Sequence, residues 1–174
     1  MFTDSPITAF PPNRLVVSKQ ITLPDQLSLF QAMKKYNLSI GAVEGRAYGP
    51  HIDEFLLANH DQVIWISGKD SAKRLRQMLI RKKLDAIIEF TATFTIDNQV
   101  DLTSLSFHQL KEASQSIYGY IACARSGIGQ KAIALFNEQL ALPVNQKIII
   151  DAHHASFFGK EAIFIAEDMA RQFH

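Results

Sequence analysis

Short runs rich in β-branched residues alternate with stretches of helical periodicity along this chain of 174 residues. Such alternation predicts crossover helices that connect the strands of a largely parallel sheet. The predicted strands cover residues 14–17, 38–43, 62–66, 85–89, 118–124 and 147–150. The predicted helices cover residues 22–36, 50–57, 71–83, 129–140 and 160–172. The expected fold class is therefore α/β. The polar stretch 91–116 gives no clear assignment.

Charge and cysteine content narrow the classes of function. The 18 Lys and Arg residues nearly balance the 17 Asp and Glu residues, so the whole-chain charge favours neither nucleic acid nor an anionic membrane as a partner. Cys123 is the single cysteine, which excludes an internal disulfide and multi-cysteine metal sites. Its apolar surroundings predict a buried, inert thiol. Apolar runs such as 148–150 are far shorter than the ~20 residues that span a bilayer.

The most informative segment is the loop 41–50, which follows a predicted strand, precedes a predicted helix and contains three glycines. Such a turn exposes backbone N–H groups at a helix N-terminus, where they bind carboxylates. Arg46 would add a bidentate contact and Tyr48 a flat surface. The alternative is an ordinary connection with a solvated arginine. The spacing matches neither GxGxxG nor a P-loop, which argues against a nucleotide-binding fold.

Glu89 stands at the end of the predicted strand 85–89. In an open α/β sheet the carboxyl end of a strand borders the crevice that holds ligands, so the Glu89 carboxylate is a candidate ligand contact. A solvated strand end is the alternative. The other carboxylate pairs, Asp53 with Glu54 and Glu167 with Asp168, are not taken as candidate site residues.

The remaining clusters are interpreted as structural. The basic residues of the predicted helix 71–83 form a solvated face opposite the stripe Ala72, Leu75 and Leu79, rather than a nucleic-acid surface. The six histidines lack metal-ligand spacing, and His153 and His154 are expected in a loop. Ser126 is a candidate helix cap, and no GxSxG elbow or other catalytic set occurs. We therefore expect no enzyme activity, no cofactor and no metal.

Four segments, 13–17, 41–49, 84–90 and 118–124, resemble the extracellular solute-binding protein family 3, the type 2 periplasmic binding proteins. The resemblance implies a Rossmann-like lobe flanked by helices plus a partial second lobe. It places a first-lobe remnant and crossing strand at 1–17, the second lobe at 18–117, and a return strand with a closing segment at 118–174. Most of the N-terminal part of the first lobe is expected to be absent, and self-association would then cover exposed apolar surface.

The resemblance also implies the function, which is non-catalytic binding of a small polar or anionic, amino-acid-like solute in the periplasm for an ABC transporter permease. No nucleic acid or membrane insertion is expected, and the chain itself starts without a signal-peptide pattern. The implied ligand-binding residues are Gly45, Arg46, Ala47, Tyr48, Glu89, Phe90 and Thr91. Phe90 stands where amino-acid binders usually place an aspartate for the ammonium, a role that Glu89 could take. The effector-binding domain of a bacterial transcription regulator is the alternative.

Overall fold

Strands and helices alternate along most of the chain. The structure is a computed structural model that describes residues 1–96, 102–113, 116–157 and 159–173. The strands in these residues are β1 (Thr8–Phe10), β2 (Arg14–Ser18), β3 (Gln26–Leu27), β4 (Ile40–Val43), β5 (Val63–Ile66), β6 (Ala86–Glu89), β7 (Leu105–Leu110) and β8 (Ile117–Gly119). The α-helices are α1 (Pro50–Ala58), α2 (Ser71–Ile80), α3 (Thr91–Ile96), α4 (Gly127–Leu140), α5 (Pro143–Ser156) and α6 (Gly159–Arg171). The α/β fold class is confirmed.

The chain divides into two compact units. Unit 1 consists of Met1–Pro11 and Gln115–His174, and unit 2 of Pro12–Ser114. Unit 2 contains a six-stranded sheet, and unit 1 contains a two-stranded sheet with helices α4, α5 and α6. None of the helices in the described residues is long and apolar enough to cross a bilayer.

The sheet of unit 2 has the strand order β3-β7-β2-β6-β4-β5. Strand β4 pairs in parallel with β5 and β6, and β3 pairs in parallel with β7. Strand β2 runs antiparallel to both of its neighbours, β6 and β7. The carboxyl ends of five strands and the amino end of β2 therefore share one edge of the sheet.

Both faces of this sheet are buried. Leu15 and Ile88 belong to the cluster that includes Ile52 and Leu56 of α1. Their sequence neighbours on the strands belong to a second cluster with Leu75 and Leu79 of α2. Side chains alternate between the faces of a strand, so strands covered on both sides consist of nearly continuous apolar residues. This explains why the short apolar runs were recognisable as strands.

In unit 1, strands β1 and β8 pair antiparallel, with Ala9 opposite Tyr118. Helix α4 begins at Ser126, whose hydroxyl accepts a hydrogen bond from the Gly129 N–H at 3.1 Å. The prediction of Ser126 as a helix cap is confirmed. The buried side chains of α6 include Ala162, Ala166 and Met169.

The strand predicted at 147–150 is wrong, because these residues lie within α5. Three consecutive isoleucines fit a buried strand or a helix equally well, and Pro143 at the start of α5 was the overlooked helix signal. His153 consequently lies on a helix rather than in a loop. It is buried, and its Nε2 accepts the Ala9 N–H at 2.9 Å.

The helix predicted from residue 22 starts later. Residues 26–27 form β3, and the helical segment, which includes a π-helix at Gln31–Lys35, follows Ser28. The Ser28 hydroxyl accepts the Gln31 N–H at 3.1 Å, and the Gln31 side chain accepts the Ser28 N–H at 2.9 Å. This reciprocal pair is a capping box, and its Ser-x-x-Gln spacing marks the true start of the helix.

The strand predicted at 118–124 is shorter than expected, since β8 ends at Gly119 and an isolated bridge joins Phe2 to Ala122. Cys123 is therefore only half-buried, and its prediction as a buried thiol is wrong. The unassigned stretch 91–116 contains α3 and β7. Residues 97–101 and 114–115 of that stretch lie outside the described part of the chain.

Candidate functional site

The candidate site lies at the carboxyl ends of β4 and β6, which are neighbours in the sheet. From β4 the chain passes through loop 44–49 and α1 to β5 on one side, and then through α2 to β6 on the other side. This reversal of strand order is a topological switch point, where loops diverge and open α/β sheets bind ligands. The fold brings Gly45, Arg46, Ala47 and Tyr48 to the same edge as Glu89, Phe90 and Thr91.

Glu89, the last residue of β6, is 2% exposed. Its Oε1 accepts hydrogen bonds from a terminal nitrogen of Arg46 at 2.5 Å and from the Phe90 N–H at 3.0 Å. Its Oε2 accepts a hydrogen bond from Arg76 at 3.3 Å. The interpretation of Glu89 as a solvated strand end is therefore wrong. One buried carboxylate joins the loop after β4, helix α2 and the end of β6.

The Arg46 side chain is 21% exposed and lies against two aromatic rings. Its guanidinium carbon is 4.8 Å from the ring centroid of Tyr48 and 5.2 Å from that of Phe90. Burial lowers the pKa of Arg46, but the hydrogen bond and charge of Glu89 outweigh burial and raise it above its usual value. Arg46 therefore stays charged in a fixed orientation, which corrects the interpretation as a solvated arginine.

Tyr48 supports this arrangement from within the fold. The residue is 2% exposed, and its hydroxyl accepts the Val43 N–H at 2.7 Å. Its carbonyl oxygen accepts a hydrogen bond from the buried Asn13 side chain at 2.9 Å. Burial raises the pKa of the Tyr48 hydroxyl. These contacts hold the ring rigidly beneath Arg46.

Asp53, the fourth residue of α1, was missed by the sequence analysis. Its carboxylate accepts the N–H groups of Tyr48 at 2.9 Å and of Gly49 at 3.2 Å. Two of the N–H groups expected to bind a ligand are therefore already occupied. The available signal was an acidic residue in the first turn of a helix that follows a glycine turn, since carboxylates are stabilised there.

Arg76 was also missed, because it was counted with the solvated face of helix α2. Its side chain is only 14% exposed and forms an ion pair with Glu89. The spacing did contain a signal. Together with Ala72, Leu75 and Leu79, Arg76 completes an i, i+3, i+4, i+7 pattern, which places it on the inner face of the helix.

The other predicted site residues are more exposed. Gly45 and Ala47 are exposed, Phe90 is half-buried, and Thr91 is half-buried at the start of α3. Gly45 and Gly49 have φ values of 75° and 112°, which favour glycine. Within the described residues, no group of three or more His, Cys, Asp or Glu side chains could hold a metal ion.

Comparison with solved structures identifies the fold. A structure from work on glutathione import in Gram-positive bacteria via GshT and the cystine ABC importer TcyBC of Streptococcus mutans aligns with a TM-score of 0.62 and 18% identity, covering 92% of this chain and 65% of that chain. The fold is that of periplasmic binding proteins. An ancestral arginine-binding protein bound to arginine aligns with a TM-score of 0.57 and 16% identity, over 87% of this chain and 62% of that chain.

A third solved structure, the substrate binding protein of an amino acid ABC transporter, aligns with a TM-score of 0.52 and 14% identity. It is matched over 98% of this chain and 63% of its own length. The chain thus spans less than two thirds of the length of these structures. No protein-family model matches the chain, and no curated protein matches its sequence.

Proposed function

We propose that unit 2 binds a small polar or anionic, amino-acid-like solute without chemical conversion, as the substrate-binding component of a transporter. The observation that carries this proposal is Arg46, which is held by Glu89 between the rings of Tyr48 and Phe90 at the switch point of the sheet. A guanidinium fixed in this way is preorganised to recognise a carboxylate.

The ligand carboxylate would contact the exposed part of Arg46. One terminal nitrogen of the guanidinium donates to Glu89, which fixes the plane of the group while 21% of the side chain stays exposed. Guanidinium carries five N–H donors, so further donors serve the ligand. Glu89 itself acts as a positioning residue in this proposal. Both of its oxygens already accept hydrogen bonds, which disfavours it as the ammonium contact.

The exposed residues of the two loops complete the proposed site. Gly45 and Ala47 would contribute backbone contacts, because both are exposed beside Arg46. Thr91 would contribute its hydroxyl and Phe90 the edge of its ring. Because Asp53 occupies the N–H groups of Tyr48 and Gly49, the carboxylate would approach Arg46 rather than the start of α1.

Three further parts of the proposal rest on resemblance. The compared structures include the substrate binding protein of an amino acid ABC transporter and an arginine-binding protein bound to arginine. By analogy, we place this protein in the periplasm, with an ABC transporter permease as its partner and no enzymatic step. Self-association through apolar side chains of unit 1, such as the 83% exposed Ile128, stays a prediction that sedimentation would test.

Isothermal titration calorimetry against a panel of amino acids and dicarboxylates tests the proposed function. Arg46→Ala should weaken binding of the best ligand by roughly tenfold to a hundredfold, because a charge-assisted hydrogen bond contributes about 1.5–3 kcal/mol. Arg46→Lys should restore only part of the affinity, since lysine lacks the planar fork.

Arg81→Ala is the matched control, because Arg81 is exposed just beyond α2 and away from the site residues. It should bind as the parent does. Equal affinity of Arg46→Ala and the parent for the same ligand, with both proteins folded by circular dichroism, would show that loop 44–49 is only a connection.

A further inference from the structure

A cavity of about 300 Å³ opens between the loop after β4, helix α1 and strand β5. Its lining includes Glu44, Arg46, Asp53, Leu57, His60 and Trp65. Strand β5 stands at the end of the sheet order, so the cavity lies at the outer side of the sheet rather than between β4 and β6. A volume of this size lies at the lower end of the range for small-molecule pockets.

The wall of the cavity consists in part of two stacked aromatic rings and a solvent-exposed leucine side chain. The rings of His60 and Trp65 stack with centroids 5.2 Å apart and an angle of 22° between their planes. The Trp65 indole N–H donates to the His60 carbonyl oxygen at 3.0 Å, which fixes the orientation of the indole. Leu57 is 74% exposed although its neighbour Leu56 is buried. An exposed leucine beside a fixed indole favours contact with a ligand group that is flat and weakly hydrated, as a guanidinium is.

We propose that this cavity binds the planar cationic end of a ligand, a guanidinium or amidinium group, that stacks beside Trp65 and pairs with Glu44. Tryptophan is the aromatic side chain that attracts cations most strongly. Glu44 is exposed and lines the same cavity, so its carboxylate is available for a bidentate contact with a planar cation. This inference rests on the proposed function in one respect, the contact between Arg46 and the carboxylate at the other end of the ligand.

The cavity wall carries more negative than positive side chains. Glu89 is shared between Arg46 and Arg76, so Arg46 keeps the positive charge that the proposed carboxylate contact needs. Glu44 and Asp53 add two carboxylates to the cavity wall. A cation at Trp65 and an anion at Arg46 would therefore each meet the opposite charge, which favours a zwitterionic ligand.

Trp65 is the only tryptophan of the chain, so intrinsic fluorescence reports directly on this cavity. Three probes separate the two ends of the ligand. L-arginine carries both a guanidinium and a carboxylate, L-citrulline replaces the guanidinium with a neutral urea of the same shape, and agmatine lacks the carboxylate. Each is titrated by fluorescence and by calorimetry against the folded full chain.

We expect arginine and agmatine to change the Trp65 emission and citrulline to bind about tenfold more weakly than arginine, because it loses the ion pair and the cation–π contact. Glu44→Gln should weaken the binding of arginine about two- to fivefold. Glu54→Gln is the matched control on the same exposed surface and should leave the affinity unchanged, since Glu54 does not line the cavity.

The cavity assignment is overturned if citrulline binds as tightly as arginine, or if Glu44→Gln and Glu54→Gln bind arginine with equal affinity. It is also overturned if arginine leaves the Trp65 emission unchanged up to about 10 mM, a concentration at which millimolar binding would be detected. The proposed function fails separately. If agmatine and arginine bind equally and Arg46→Ala changes neither, the carboxylate contact is absent while the cavity assignment stands. If calorimetry detects a ligand whose binding depends on Arg46 but does not alter the Trp65 emission, the carboxylate contact at Arg46 stands and the cavity assignment fails.

Discussion

Arg46 and Glu89 are 43 residues apart in sequence, yet a terminal nitrogen of Arg46 lies 2.5 Å from Glu89 Oε1. The carboxylate is buried, whereas the arginine is partly exposed between two aromatic rings. This pair links the loop after β4 to the end of β6. The proposed recognition of a carboxylate by Arg46 therefore depends on the same contact that stabilises this edge of the sheet.

Arg46→Ala should lower the free energy of unfolding by about 2 kcal/mol. Losing one partner of a fully buried ion pair costs about 3–5 kcal/mol, and the cost is smaller here because Arg76 still pairs with Glu89. Urea denaturation followed by circular dichroism measures the change.

A double-mutant cycle isolates the Arg46–Glu89 interaction. Arg46→Ala combined with Glu89→Gln should be less destabilised than the sum of the single variants by about 1–2 kcal/mol, because the two residues are in contact. Arg81→Ala should stay within about 0.5 kcal/mol of the parent, as an exposed control. Additive effects in the cycle would mean that the pair contributes no coupling in solution.

Asp53→Ala should destabilise the protein by about 1–2 kcal/mol, because it removes the acceptor of two backbone N–H groups at the start of α1. Asp53→Asn should cost less, since its amide oxygen still accepts one of them. Glu54→Gln, next to it and exposed, should have no measurable effect. Thermal unfolding of the three variants tests this order, and an equal melting temperature for Asp53→Ala and Glu54→Gln would contradict it.

Gly41→Ala should destabilise unit 2 by about 1–3 kcal/mol through overpacking. A Cβ atom at Gly41 would lie 2.5 Å from Leu75 Cδ2 and 2.8 Å from Leu84 Cδ2, so both leucines would have to move. Gly127→Ala is the contrasting variant, because a Cβ there meets no atom within 4 Å. It should stabilise the start of α4 by about 0.4–1 kcal/mol. Urea midpoints that shift in the same direction for both variants would count against the packing explanation.

Tyr118 should make stability depend on pH in the alkaline range. Burial, followed by the hydrogen bond that its hydroxyl donates to Asp168 at 2.6 Å, raises the pKa of Tyr118 to about 12 from 10.0. The folded state therefore favours the neutral hydroxyl. This contribution is fully present below pH 10 and is lost as the pH rises towards 12. Urea midpoints between pH 9 and 12 should fall more steeply for the parent than for Tyr118→Phe.

Asp168 provides the matched test at acidic pH. Burial alone would raise its pKa, but the hydrogen bonds that its carboxylate accepts from Tyr118 and Arg171 outweigh burial and lower the pKa below 3.8. The stabilisation by Asp168 is present above pH 3.8 and is lost as the pH falls through the lowered value. Asp168→Asn should remove this acid dependence and leave Tyr118 with an acceptor.

The sequence by itself determined the fold class and predicted which loop and which strand end form the candidate site. Apolar runs of strand length indicated that β2, β4 and β6 are covered on both faces. The glycines of loop 41–50 indicated a turn with positive φ values. Both signals are local, because they depend on residues that are adjacent in the chain. For the same reason, local patterns misplaced the strand at 147–150, where helix and strand periodicities coincide.

Only the tertiary structure decided what the site residues contact. Whether Glu89 faces solvent or two arginines depends on β4, α2 and β6 meeting at one edge, and no local pattern encodes the distance between them. The same holds for Asp53. Its carboxylate accepts the N–H groups of Tyr48 and Gly49, which the sequence alone had assigned to a ligand. Arg76 differs from the exposed basic residues of α2 in being buried and paired with Glu89. Both properties arise from the packing of segments that are distant in the sequence, so the helix sequence alone does not show them.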